Sequence, residues 1–299
     1  MSLGLEGRSS VAFPARFIDT HVHLWDRRLG LDYSWLDGDA SGPLGRLPEV
    51  SSTLWDAGRF ADEVRFHRPD RVVHVQATNP STASIAETAW LDSERATTGF
   101  PSVFVVRADL RSPDLARRLA EQIAEHPGVV GVRDMSLGRS LTGDDLLTGL
   151  QELERLQLVW EVSCAPEEFA DLATLARLVP ALRIVLGHGG WPWARTAESF
   201  DDWQKRLGEL VSVTNVVCKV SGLGMADHAW SVESWRPWVE TAVRMFGPSR
   251  SMFGSNWPID RVYASYESEL LAMNEILSDL TDDERDAFWY VTAADVFSL

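Results

Sequence analysis

Arg16-Phe17-Ile18-Asp19-Thr20 is a short run of strand-forming residues, and it passes directly into His21-Val22-His23. Seven further apolar, β-rich runs follow it, at 71–76, 103–106, 129–133, 158–162, 183–186, 216–220 and 251–254. Each is nearly continuous in apolar character, as parallel strands covered on both faces should be. Between them lie segments with helical spacing, for example 112–126, 143–156 and 166–178, and Pro127, Pro180 and Pro248 stand near helix ends as stop signals. Strand–helix alternation points to βαβ units and a parallel sheet. Eight strands without a linker favour closure into a (β/α)8 barrel, an α/β fold, over a doubly wound open sheet, and no G-x-G-x-x-G follows the first run. The reading is one barrel domain over 16–299, preceded by a disordered or tag-like N-terminus over 1–15. Two stretches exceed a minimal barrel, 26–52 and 191–207, and are expected to build the mouth of the site.

The 299 residues are 45% hydrophobic and 24% charged, an ordinary globular balance. With 28 basic and 44 acidic residues the formal net charge is −16, a field that repels nucleic acid and anionic membrane surfaces. It does not exclude an anionic substrate, because a pocket can be locally basic. The expected partner is therefore a small molecule, with neither nucleic acid nor membrane, and a homo-oligomer is compatible with the sequence. Two cysteines, Cys164 and Cys218, are not a disulfide framework and read as core thiols. Without a signal peptide or a long apolar span, the expected location is cytoplasmic.

Polar residues inside such a barrel need partners or ligands. His21 and His23 alternate onto one side of the first strand, with Phe17 and Asp19 sharing that inward parity. Two inward histidines at the C-terminal mouth are a ready pair of metal ligands. His188, in Leu186-Gly187-His188-Gly189-Gly190 just past the sixth strand, is a candidate third member. Gln76, Arg133 and Lys219 are assigned the inward parity as substrate-binding groups: Gln76 for a hydroxyl or carbonyl, Arg133 for a carboxylate, Lys219 for a carboxylate or a ring oxygen. The competing reading of Lys219 is a structural salt bridge, for example with Glu161. His74 reads as a satisfied core histidine. Among thirteen tryptophans, Trp25, Trp191, Trp193 and Trp257 follow strands and are candidates to line the mouth, whereas Trp238 and Trp289 read as core.

Four motifs together carry a resemblance. They are Phe17-Ile18-Asp19-Thr20-His21-Val22-His23-Leu24-Trp25, Gly187-His188-Gly189-Gly190, Cys218-Lys219-Val220-Ser221-Gly222-Leu223 and Gly254-Ser255-Asn256-Trp257-Pro258. In this order, from about Phe17 to the C-terminus, they resemble the amidohydrolase-2 branch of the amidohydrolase superfamily. More narrowly, they resemble its sugar-lactone and 2-pyrone-4,6-dicarboxylate lactonase group. The resemblance implies a TIM-barrel hydrolase that opens a lactone or related carboxyl compound, with one divalent metal ion, most often Zn²⁺, although some lactonases of this branch work without metal. The family pattern falls directly on His21, His23 and His188.

Three departures shape the expected site. Asn256 stands where the family commonly carries Asp, and an amide cannot serve as the base. Asp260, four residues on, is a candidate substitute. Arg133 occupies the region where a bridging lysine carbamate would be, so the site is read as mononuclear. On the fifth strand the oxygen ligand would be Glu161. The expected set is thus His21, His23, Glu161 and His188 for the metal, with His188, Asn256 and Asp260 in the catalytic positions. Substrate would be held by Gln76, Arg133, Lys219, Trp25 and Trp191. Two other readings remain open: a decarboxylase or hydratase of a small unsaturated or aromatic acid on the same fold, and a non-catalytic ligand-binding barrel, motivated by Asn256.

Overall fold

The computed structural model describes residues 12–38, 45, 47–135 and 140–299. Residues 1–11 of the stretch expected to be disordered or tag-like lie outside the described residues, as do 39–44 and 46 of the long loop. Eight parallel strands follow one another around one sheet: β1 (Ile18–Val22), β2 (Arg71–Val75), β3 (Val103–Arg107), β4 (Val129–Arg133), β5 (Val159–Val162), β6 (Ile184–Leu186), β7 (Val216–Val220) and β8 (Ser251–Phe253). Alternation along these β-branched runs sorts their side chains into two clusters. Val73, Val75, Val103, Val105, Val159, Val185, Val217 and Met252 fill the interior, joined by Val296 and Phe297 of the C-terminal helix. Val72, Phe104, Val106, Val132, Trp160, Ile184, Val216 and Phe253 face the surrounding helices, among which Trp203, Trp235 and Trp289 are fully buried. Among the described residues no helix is long and apolar enough to cross a membrane.

The seam between β1 and β8 is closed largely by side chains. Thr20 Oγ1 donates to the Phe253 carbonyl at 2.6 Å, and His23 N donates to the Trp257 carbonyl at 2.7 Å. The Asp19 carboxylate accepts from Ser255 N (3.0 Å), Ser255 Oγ (2.6 Å) and Tyr266 Oη (3.1 Å). It also accepts from His21 N at 3.1 Å, two residues along its own strand. Gly254 makes the close approach possible, since a Cβ there would lie 2.7 Å from the His21 Cβ.

This closure corrects the parity expected for β1. The register with β2 shifts between Asp19 and Val22, so Ile18 rather than Phe17 joins the interior cluster, and Asp19 turns to the seam. A bulge inserts one residue into the alternation. On β2 the interior residues are Val73 and Val75, so Gln76, just past the strand, falls on the opposite parity to the one expected. The expected insertion at 191–207 is mostly ordinary barrel helix, since Thr196 caps a helix over Ala197–Val211. The loop after β1 folds back as a short ribbon in which Trp25 pairs with Trp55.

The chain leaving β2 is held by Glu87, on the helix Ser84–Thr98, which accepts from Ala77 N at 3.1 Å and Thr78 N at 2.7 Å. Burial raises its pKa from 4.5 to about 8, against the pull of these two donors. In the unfolded chain the carboxyl ionises first, so stability falls as pH rises through the window from about 4.5 to about 8 and levels off above it. Glu87→Gln keeps an acceptor oxygen and removes the titration. Urea denaturation from pH 5 to pH 8 should show the wild type losing stability relative to this variant, by on the order of a few kcal/mol. Parallel profiles would show the carboxylate to be ionised in the fold.

Candidate active site

His21 and His23 emerge from the bulged end of β1 with their Nε2 atoms 3.1 Å apart. His23 Nδ1 lies 2.8 Å from the Val75 carbonyl, which can only accept, so His23 carries its proton on Nδ1 and turns an Nε2 lone pair toward His21. One positive centre therefore belongs between the two rings. Either His21 donates an Nε2–H to His23, or a cation sits between two lone pairs. Two ligands each about 2.0–2.1 Å from one ion fit this separation. Burial, and then the nearby cationic groups, hold both imidazoles well below their ordinary pKa, which keeps them neutral.

Below the pair, Lys219 and Glu161 are buried and joined at 2.6 Å. The Lys219 ammonium also donates to the Thr20 carbonyl at 2.7 Å and lies 3.4 Å from His21 Nδ1. Glu161 Oε1 stands 3.1 Å from His21 Nδ1 but off the ring N–H direction, without a well-aligned hydrogen bond. Lys219 and Glu161 thus form the internal ion pair that the sequence raised as the competing reading. Glu161 is aimed at His21 Nδ1 rather than at the Nε2 side where an ion would sit.

His188 follows β6 in a left-handed conformation, φ 53°. Its Nδ1 lies 2.9 Å from Ser221 Oγ and its ring centroid 4.5 Å from that of His21. Gly222 is what lets the imidazole sit there, because a Cβ at that position would come 2.5 Å from His188 Nδ1. Burial lowers the His188 pKa well below its ordinary value, with Arg133 and Lys219 adding to the shift. Among the described residues no group of three or more His, Cys, Asp or Glu side chains is arranged to hold a metal, so the fit to an ion rests on His21 and His23.

Asn256 also adopts a left-handed conformation, φ 55°, one that Asn tolerates better than most residues. Its Nδ2 donates to Asp260 Oδ1 at 2.9 Å. Asp260 further accepts from Gly224 N (2.9 Å) and Met225 N (3.2 Å) and is fully buried. Burial raises its pKa to about 7. Its carboxylate thus ties the Asn256 amide to the turn after β7.

Arg133, at the end of β4, donates from Nη2 to Ser163 Oγ at 3.0 Å, and its buried Nε has no partner. With Lys219 it places two cationic side chains in the interior, where Glu161 pairs the lysine. Trp25 is fully buried, donates to the Ser52 carbonyl at 3.1 Å and packs on Trp35 and Trp55. Trp191 donates to the Ser221 carbonyl at 2.7 Å and lines a cavity of about 680 Å³ that opens past His188. Gln76 is nearly buried and lies outside that cavity's wall. Cys164 lines the cavity, while Cys218 is in the core with its thiol pushed up to about 12 by burial. Asp19, Ser163, Ser221 and Gly222 position the site and were not singled out for it in the sequence. Asp19, Ser221 and Gly222 stood within motifs that the sequence showed, but without these roles.

The sequence profile of the amidohydrolase family matches residues 18–299. An uncharacterized Sinorhizobium fredii protein, y4mH, is 30% identical over 93% of this chain and 96% of its own length. A Burkholderia multivorans protein named L-fucono-1,5-lactonase is 30% identical over 94% of this chain and 96% of its own length. A crystal structure of an amidohydrolase from Burkholderia multivorans with bound zinc superposes with a TM-score of 0.82 at 27% identity, covering 95% of this chain and 100% of that one.

The Lys219–Glu161 pair has a measurable signature. Glu161→Gln leaves the ammonium buried without its counter-charge and should cost roughly 3–5 kcal/mol in chemical denaturation. Adding Lys219→Met to that variant should restore most of the loss. A single-variant cost below about 1 kcal/mol would mean that water or another group compensates the lysine.

Proposed function

The chain belongs to the amidohydrolase family, and from that membership we propose that it is a lactonase, opening the ring ester of a small carboxyl compound by attack of water at the barrel mouth. The observation that carries this reading is the facing pair of Nε2 atoms on His21 and His23, 3.1 Å apart, with the Arg133 and Lys219 side chains buried nearby. That arrangement suits a reaction in which a neutral carbonyl develops negative charge. The Burkholderia relatives named L-fucono-1,5-lactonases support an ester ring as the substrate.

A divalent ion, zinc by likeness to the Burkholderia structure, would be held by Nε2 of His21 and His23. When bound it supplies Lewis acidity and lowers the pKa of water. The remaining roles fall to the side chains. The Val75 carbonyl orients the His23 ring from behind, and the Glu161 carboxylate lies behind His21. Arg133, with its unpartnered Nε, orients a substrate oxygen and stabilises the oxyanion. His188 is held neutral and is steadied at Nδ1 by Ser221; in the tautomer that donates Nδ1–H to the serine hydroxyl, its Nε2 accepts the proton of the attacking water. Asn256 cannot take that proton. Its amide, held by Asp260, serves as a fixed polar contact instead.

Hydrolysis of L-fucono-1,5-lactone and related sugar lactones, followed by acid release, tests this reading. His21→Asn and His188→Asn should each lower kcat/KM by about 10²–10⁴-fold. Chelation should reduce the wild-type rate, and zinc should restore it. Near-wild-type rates in both variants would overturn the assignment.

A further inference from the structure

The cavity past His188 has features that ring opening alone does not use. It lies between the loops that follow β5 and β6, bounded by the helix Ala197–Val211 and by Met225 and Ala226. At about 680 Å³ it is in the range that encloses a drug-sized ligand, more than a single six-membered ring needs. One wall is aromatic, with Trp191 nearly buried and Trp193 half exposed at 51%. Another carries Glu167, Glu198 and Asp202, the last paired at 2.7 Å with Arg206 behind the wall, and none of the described lining residues is Lys or Arg. The interior beyond His188 holds the Arg133 and Lys219 side chains, the lysine paired with Glu161. The charged groups that the lining presents to a ligand in the cavity are thus carboxylates.

We propose that this cavity is an outer subsite for an uncharged, ring-shaped substituent carried by the lactone, such as a second pyranose, lying on Trp193 with its hydroxyls toward the carboxylates. The proposal rests on the lactonase reading for the identity of the reacting end and extends it to the substrate's far end. A pyranose offers an apolar face to an aromatic ring and donor hydroxyls to carboxylates, so both walls are used. A substituent bearing its own carboxylate meets like charge and is disfavoured. The enzyme's substrates are then lactones larger than a monosaccharide and neutral beyond the reacting ring.

The test compares D-glucono-1,5-lactone with cellobiono-1,5-lactone, which adds one neutral pyranose, and with the analogue whose outer ring is a uronic acid. The expected ratio of kcat/KM, disaccharide over monosaccharide, is roughly three- to ten-fold, the scale of one aromatic contact. In Trp193→Ala that ratio should fall to about one, and the uronic acid should lose the gain in the wild type. Titration calorimetry of the two matching lactams reads the subsite without turnover. If no lactone is hydrolysed yet the disaccharide lactam binds more tightly in a Trp193-dependent way, the subsite stands and the lactonase reading falls. Equal binding of the two lactams, no binding of either, or a preference that survives Trp193→Ala overturns the subsite.

Discussion

The Asp19 carboxylate takes four hydrogen bonds at the seam where the barrel closes, from His21 N, from Ser255 N and Oγ, and from Tyr266 Oη. Burial pushes its pKa up, and these four donors act in the opposite sense by favouring the charged form. The side chain does work that a regular ladder would otherwise do. It satisfies the amide left free by the bulge in β1 and ties the chain leaving β8 to the start of β1. Because of the bulge, His21 and His23 point inward from a strand whose earlier interior residue is Ile18. Because of the tie, Asn256 and Trp257 follow β8 directly beside them. The seam and the site are thus one construction.

Within that frame, low dielectric sets the chemistry. The buried His21 and His23 and the half-buried His188, near Arg133 and Lys219, are held neutral, so each offers a lone pair instead of a charge. Lys219 can be buried only because Glu161 and the Thr20 carbonyl receive it, and that pairing in turn places a carboxylate behind His21. Buried ion pairs contribute little net stability and much geometry. Here the geometry is a carboxylate held 3.1 Å from His21 Nδ1.

The architecture was legible in the sequence because parallel strands covered on both faces must be continuously apolar, and the eight runs from 16–20 to 251–254 match the eight strands within two residues at each end. His21, His23 and His188 were legible as strand-end residues, and the structure brings them together. The parity of β1 was not legible. A bulge is one extra residue, and nothing in Phe17-Ile18-Asp19-Thr20 distinguishes an inward Asp19 from one that turns to a partner 236 positions away. The parity assigned to Gln76 failed because strand ends were read without a register. Ser221 and Ser163 were invisible for a related reason, since their roles depend on which neighbouring strand ends beside them. The stretch 191–207, read as an insertion after the sixth strand, is mostly the helix that Thr196 caps.

The facing Nε2 atoms of His21 and His23 are the centre of the site, and long-range ¹H–¹⁵N correlation of the histidine rings reads them directly. In chelator-treated protein at neutral pH, His23 should be protonated at Nδ1 and His21 at Nε2, sharing one proton between the rings. On adding zinc, both Nε2 resonances should move to metal-bound positions, with the His21 proton transferred to Nδ1 opposite Glu161. Ring nitrogens that do not respond to zinc, or a His23 ring protonated at Nε2, would contradict the account.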